Sequence, residues 1–475
     1  MRHIYQGASR VVVWLDPEQD GSNTGIDFIR DLAAATKDPQ RLQRWMRKDT
    51  KLAAEAAAGL ILHRPYWRRA WIRQEVSVPR SDPLIQCGNR ELPWHVLTSG
   101  LCYLFDHLHD ARFHVRGISN GQTLAFMRKA YHGTIHRGKS ADNDGPETNL
   151  YSLLHYSRTT LATDPRDQIY ALLGLVKATH GGPDPDLMLP DYTKPVSWTY
   201  LEAAKMFIKF EGTLEFLSLR ATHAGRSWLP SWVPDFSSSY RHDKTSYPSN
   251  APNPFPKSSA LGPLMDDSIR PFPCVAEKNG SALAAKGAIL DRVIGIFETK
   301  VTSPEVVFKL REAVLSKNRR RVTKSLSGAV VIQSELEDWI WRTLIRNRGQ
   351  VSSAPCPPEY GDYYSEILND YQRGESIKPT TDGGKKFVRA MQNATSFGPE
   401  YPSRRILLFK GLDIGLGPPD AEPGDLLCLL GGYSAPVVLR PFGEFFQFVG
   451  DVYVHGIMNG EALADHELPL KFVIR

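Results

Sequence analysis

Arg64-Pro65-Tyr66-Trp67-Arg68-Arg69-Ala70-Trp71-Ile72-Arg73-Gln74-Glu75 places three aromatics, four arginines and one carboxylate within twelve residues. Pro65 suits the first position of a helix, where its missing N–H leaves no bond unmade. The spacing predicts one helix across the stretch. Trp67, Trp71 and Glu75, four residues apart, then share a face, with Arg68 and Arg69 within reach. A carboxylate between an aromatic wall and guanidinium groups suits chemistry on a planar, charged substrate. The same pattern also pins a helix by packing and ion pairing. Both readings stay open on this stretch alone.

Upstream, Val11-Val12-Val13-Trp14-Leu15 is a continuous apolar run between Arg10 and Asp16-Pro17. Such a run predicts a strand buried on both faces of a parallel sheet. Ile26, Ile29 and Leu32-Ala33 mark one helix, and Leu52, Ala56 and Leu60 mark a second. Pro83-Leu84-Ile85-Gln86-Cys87 then predicts another short strand. Strand, helices and strand form a crossover unit, which joins parallel strands. From residue 93 to about residue 210 the chain reads as mostly helical. Within it, Asp164 is expected as an N-cap, Pro165 in the first turn, and Ile169, Leu172 and Leu173 facing inward. Arg166 and Tyr170 are expected to brace this block as a structural clasp, because nothing in it pairs a nucleophile with a base.

Residues 237–273 are rich in Ser, Pro and Asn and lack periodicity, which predicts a linker. Beyond it, residues 282–285 and 293–297 are short strand-like runs, and Ser334-Glu335-Leu336-Glu337 is a capping box opening a helix through Arg346. Residues 351–358 and 378–386 read as mobile insertions. Residues 405–409, 426–430, 437–440, 445–449 and 452–454 alternate, with Gly/Pro turns between, as in a small antiparallel sheet or barrel. The expected organisation is a partial α/β core over residues 1–110, a helical continuation over 111–236, the linker over 237–273, and an α+β domain with an antiparallel sheet over 274–475.

The chain has 475 residues, 41% hydrophobic and 23% charged, enough for two or three domains with buried cores. A net charge of +6 is mild for that length and requires no acidic partner. Cys87, Cys102, Cys274, Cys356 and Cys428 are scattered and form no C-x-x-C pair, which favours reduced thiols over a disulfide framework or zinc knuckle. No apolar run approaches the ~18–20 residues of a membrane span, and no signal-peptide core is seen, so a cytoplasmic protein is expected. His107, His109 and His114 cluster, and His132 and His136 stand four apart; with no H-E-x-x-H arrangement they read as surface histidines. Residues 432–436 lack the glycine that closes a nucleophile elbow, and residues 415–424 lack the Lys-Ser/Thr of a phosphate loop. Lys317-Asn318-Arg319-Arg320-Arg321 reads as a solvated helix end, and no specific nucleic-acid partner is expected.

The stretch at residues 64–75 resembles the R-P-Y-W-x-R-x-W-x-x-Q-E block of the fungal heterokaryon-incompatibility (HET) domain family. Met1-Arg2-His3-Ile4-Tyr5-Gln6-Gly7-Ala8 with the apolar run at 11–15 resembles an earlier block. Asp164-Pro165-Arg166-Asp167-Gln168-Ile169-Tyr170-Ala171-Leu172-Leu173-Gly174-Leu175, Pro190-Asp191-Tyr192 and Leu229-Pro230-Ser231-Trp232-Val233-Pro234-Asp235 resemble later ones, in the family's order. Trp341-Arg342-Thr343-Leu344-Ile345 and stretches between Gly415 and Gly456 look like the C-terminal half of many such proteins.

The resemblance implies non-self recognition and programmed cell death signalling in a filamentous fungus. It also implies action through other proteins, either an incompatibility partner or self-association. The family's distant likeness to TIR domains implies an α/β fold: an incomplete TIR-like or flavodoxin-like parallel sheet with many helices, then a smaller, mainly antiparallel β domain. Some TIR domains cleave NAD at the nicotinamide–ribose bond, with the essential glutamate in a W-x-x-x-E helix. That implies an alternative in which NAD is the substrate and Glu75 the catalytic residue, its carboxylate stabilising the oxocarbenium-like state. Trp71 would then stack on a flat ring, and Arg68, Arg69 or Arg73 would hold the diphosphate. Two family blocks that usually precede the I-Y run, L-S-Y-x-W-G and W-I-D-x-x-C-I-N-Q, are not found ahead of it here. A truncated domain is therefore expected, and an inactive remnant or truncated gene is the third reading.

Overall fold

In the computed structural model the apolar run at residues 11–15 forms strand β1 (Val12–Trp14). It pairs in parallel with β2 (Leu84–Cys87), Val12 opposite Leu84 and Trp14 opposite Gln86, as a crossover unit requires. The structure describes residues 1–19, 21–46, 64–106, 124–125, 127–133, 150–157, 160–176, 188–219, 228–237, 272–274, 281–297, 304–324, 333–348, 355–373, 379, 381–395, 404–411, 414–463 and 470–475. The helical pattern at residues 52–60, residues 238–271 of the expected linker, and His107, His109, His114 and His136 lie outside the described residues, as do the side chains of residues 318–321. Contacts divide the chain into two units: Met1–Phe207 with Asp235–Pro252, and Ile208–Pro234 with Asn253–Arg475.

In the first unit a third strand, β3 (Arg90–Pro93), turns back antiparallel on β2. The two-residue turn is Gly88-Asn89, and Gly88 takes φ 53°, a conformation that glycine reaches without a Cβ penalty. Among the described residues, the order β1-β2-β3 leaves β1 at an edge. This corrects the expectation of a strand buried on both faces. Val13 and Leu15 enter the core, whereas Val12 and Trp14 are 48% and 46% exposed, because the core forms against one face only. The helix Ser22–Ala35 supplies Ile26, Ile29 and Leu32 to that core, at the spacing read from the sequence. The helix Trp94–Asp106 packs against it through Trp94, Leu97 and Leu101.

The second unit is built around one long strand. Residues 282–285 and 293–297, expected as separate runs, are the two ends of β5 (Ala282–Phe297). Register shifts between Ile289 and Asp291 and between Val293 and Gly295 bend it, so that it serves several partners. Strand β4 (Phe272–Cys274) pairs with its start, and β6 (Arg405–Phe409) with its end. Strand β7 (Ile414–Gly417) extends β6. Strands β8 (Leu426–Leu430), β9 (Val437–Phe442), β10 (Phe445–Asp451) and β11 (Leu470–Ile474) follow. Because β11 pairs with both β10 and β5, the strands β5, β8, β9, β10 and β11 close into a ring. Among the described residues, only the β10–β11 pairing is parallel within this sheet.

Several readings are adjusted here. Residues 452–454 hold an isolated bridge, Tyr453 to Leu416, and not a strand. Part of the Pro/Gly-rich run at 415–424 is β7, which packs under the helix Gln333–Leu344. Residues 382–386 open the helix Asp382–Thr395 instead of forming an insertion. The Thr381 hydroxyl accepts the Gly384 N–H at 2.9 Å, an N-cap bond that starts this helix.

Candidate functional site

Residues 64–75 do not form one helix. Pro65–Arg68 is a single 3-10 turn, Arg69 is extended at φ −74° and ψ 137°, and an α-helix begins only at Ile72 and runs to Ser77. The cause is a contact distant in sequence. The Leu161 N–H donates to the Arg68 carbonyl at 2.5 Å and the Ala70 N–H to the Leu161 carbonyl at 2.9 Å, which holds the backbone out of helix. Trp67 therefore leaves the expected face and is buried, while Trp71 and Glu75 stay half-exposed. Those two remain one turn apart, the Glu75 N–H donating to the Trp71 carbonyl at 3.3 Å.

Glu75 is gripped by phenols. The Tyr66 hydroxyl donates to its carboxylate at 2.9 Å, and Tyr5, from the helix Arg2–Gly7, is hydrogen-bonded to it as well. Burial first, and the Glu75 charge second, push Tyr5 up to about 12 and Tyr66 well above the ordinary phenol range. Arg69 acts in the opposite sense on both, its Cζ lying 6.0 Å from the Tyr66 ring centroid. Glu75, Tyr66, Tyr5 and Arg69 thus form one cluster. Arg68 is exposed, and what it contributes to the break is its carbonyl. A half-exposed carboxylate so placed can accept hydrogen bonds from a polyol or face a developing positive charge. It also ties the first helix to the one that carries Glu75.

Arg73 departs furthest from expectation. Its side chain is fully buried, none of its three guanidinium nitrogens has a hydrogen-bond partner among the described residues, and burial lowers it to about 10. An enclosed guanidinium is out of reach of a diphosphate at the surface, contrary to the diphosphate-holding role expected of Arg73. Burying an unpaired charge costs stability instead.

Sequence reasoning missed the residues that fix the Glu75 helix. Arg128 is buried and donates to the carbonyls of Val76 (3.0 Å), Pro79 (2.7 Å) and Ser81 (3.2 Å), and to Asp82 Oδ1 (3.1 Å). It satisfies carbonyls that the helix end leaves open. Gln74 Nε2 donates to the Ala171 carbonyl at 2.8 Å, and a Cβ on Gly174 would fall 2.8 Å from that amide. The helix Asp167–Leu173 is in turn clasped from outside. Arg166 pairs with Asp164 at 2.9 and 2.7 Å and donates to the carbonyls of Tyr192 and Lys194 at 2.6 and 2.7 Å. Tyr170 donates to the Asp191 carbonyl at 3.0 Å. The N-cap position is Arg166, which corrects the reading of Asp164; that carboxylate instead accepts the Arg166 N–H at 3.0 Å.

With this geometry in place, the chain was compared with known proteins. Residues 1–75, which end on Glu75, match the heterokaryon incompatibility protein (HET) family, and residues 369–473 match the Het-6 beta-barrel domain. Both stretches are thus similar to heterokaryon-incompatibility families. The chain is similar to heterokaryon incompatibility protein 6, OR allele, of Neurospora crassa: 22% identical over 555 residues, covering 98% of this chain and 78% of that one. No solved structure matches it. The HET match takes in β1 and the Glu75 helix as far as Glu75, and the barrel match takes in β6 to β11 but leaves β5 outside. Among the described residues, no group of His, Cys, Asp and Glu is placed to hold a metal ion, and no helix is long and apolar enough to cross a membrane. Among the described residues, Cys87, Cys102, Cys356 and Cys428 form no disulfide; Cys102 is exposed and the other three are buried.

Proposed function

We propose that this HET-family chain acts in fungal non-self recognition. In this reading it is cytoplasmic, engages another protein or a second copy of itself, and signals programmed cell death. The observation that carries the reading is the near end-to-end similarity to a Neurospora crassa heterokaryon incompatibility protein, with HET and barrel matches at the two ends. Strand β1, at an edge of the sheet among the described residues and with Val12 and Trp14 exposed, supports a protein-contact role, since an unpaired strand edge is a template for another chain. The test is expression in a filamentous fungus, in strains that differ at incompatibility loci. Growth arrest confined to particular pairings is expected. Normal growth in every pairing, with a monomer on sedimentation, overturns the reading.

A second reading rests on Glu75: a TIR-like NAD glycohydrolase. The half-exposed carboxylate, one turn from half-exposed Trp71 and joined by Arg69, supports it. Purified protein incubated with NAD should release nicotinamide, and Glu75→Ala should abolish that release while leaving the fold intact. No release by the native protein removes this reading.

A further inference from the structure

The helix Gln333–Leu344 ends against the segment that carries Tyr453, in the second unit. Its last turn closes in an unusual way. Asn347 N–H reaches back to the Arg342 carbonyl at 2.7 Å and Arg346 N–H to Thr343 at 3.1 Å, with φ +54° at Arg346 and +51° at Asn347. This is a left-handed helix cap, a place where glycine is the low-strain residue and a side chain is strained. An arginine stands there instead.

Its surroundings are basic. Arg342 stacks on the Trp341 ring at 4.3 Å, pairs with Asp338 at 2.7 Å and donates to Asn347 Oδ1 at 2.7 Å. Arg348, the third arginine in seven residues, is half-buried and has no carboxylate partner among the described residues. All three guanidinium groups act on the largely buried Tyr453 hydroxyl, which lies 3.1 Å from His455 Nδ1. Trp339 stands edge-on to His455, with ring centroids 5.9 Å apart. Among the described residues, the carboxylates that act on His455 are Asp338, already paired with Arg342, and the exposed Glu461, hydrogen-bonded to Asn459. Positive charge therefore exceeds negative charge around a hydroxyl and a half-exposed indole.

The geometry points to an anion site formed by Arg342, Arg346, Arg348, Tyr453 and His455, with Trp339 beside it, that takes a phosphate monoester carried on a planar ring. The guanidinium groups supply charge and donors for the phosphate, and the Tyr453–His455 pair, which spends one proton on its own hydrogen bond, supplies one neutral donor. Trp339 supplies a face or edge for the ring. Arg348, which lacks a carboxylate, gains one partner on binding. The left-handed Arg346 is explained on the same terms: strain at the cap is kept because its side chain serves the ligand.

Isothermal titration of the full chain at low salt, with phenyl phosphate and inorganic phosphate as probes, tests this. The native protein should bind phenyl phosphate more tightly than inorganic phosphate. Arg348→Met and Arg346→Gly should each weaken phenyl phosphate binding about tenfold or more, the loss of one charge-assisted hydrogen bond. Glycine relieves the left-handed cap, so Arg346→Gly should melt no lower than the native protein, which separates a binding role from a structural one. No binding by the native protein overturns the proposal. So does binding that both substitutions leave unchanged, since that reports only diffuse attraction to a basic surface. Equal affinity for the two probes overturns the planar-ring specificity.

Discussion

At the scale of single residues, Arg73 and Glu75 show how two side chains on one short helix diverge once the chain is folded. Arg73 is lowered to about 10 by burial, with no compensating charge among the described residues. Its folded value lies below its unfolded one, so the unfolded state binds more protons between the two. The penalty is therefore fully present at neutral pH and is relieved only as pH rises through about 10. Arg73→Met, similar in length and uncharged, should raise unfolding stability by about 1–3 kcal/mol in a urea titration at pH 7. A loss of stability would mean that the guanidinium finds a partner in solution. Glu75→Gln removes the charge that helps to hold the Tyr5 and Tyr66 hydroxyls protonated. Tyrosinate absorbance should show two phenols ionising at lower pH than in the native protein, though burial keeps both above an exposed tyrosine. An unchanged titration would mean that Glu75 does not grip them. The W-x-x-x-E spacing and the family block made Glu75 legible as a candidate. Tyr5 was not legible as its partner, because nothing local links residue 5 to residue 75.

At the scale of elements, strand and helix positions followed from apolar runs and turn residues, and the departures have identifiable causes. The reading of residues 64–75 as one helix failed because Leu161 pairs with the backbone around Arg69. Periodicity reports which face is apolar, not whether a distant strand-like residue competes for the helical hydrogen bonds. The Gly88-Asn89 turn, a recognised hairpin dipeptide, was the available signal for β3. Strand β5 reads from sequence as two pieces because its bulges interrupt the alternation on which strand recognition depends. Gly287 lies on β5, where it pairs with both Leu470 and Leu430. A Cβ there would sit 1.9 Å from the Leu429 carbonyl oxygen and 3.2 Å from the Phe472 ring. Backbone cannot yield as a flexible side chain does, so Gly287→Ala should cost about 2–4 kcal/mol in thermal or urea unfolding. A loss below about 0.5 kcal/mol would show that the strands separate freely at this point.

At the scale of the whole molecule, the two units pose separate questions. In the second, β11 comes from the end of the described chain and closes the ring by pairing with β10 and β5. The Arg475 N–H donates to the Phe446 carbonyl at 2.9 Å, and the Ser231 hydroxyl to the Arg475 carbonyl. Deleting residues 470–475 should expose the edges of β5 and β10 and drive association, read as high-mass species on sedimentation at micromolar concentration. A monodisperse deletion variant with native strand content would show that the ring does not need its last strand. The sequence by itself determined the locally encoded features: the apolar runs of β1, β2, β6 and β8, the Ser22–Ala35 helix face, and the blocks that resemble the HET family. Those signals depend on neighbours a few residues apart. Only the tertiary structure decided which face of β1 is bare, where the Arg64–Glu75 stretch breaks, which hydroxyls hold Glu75, and that Arg73 is sealed away. Each of these depends on hydrogen bonding or burial between residues far apart in the chain, and no local pattern records which distant group arrives.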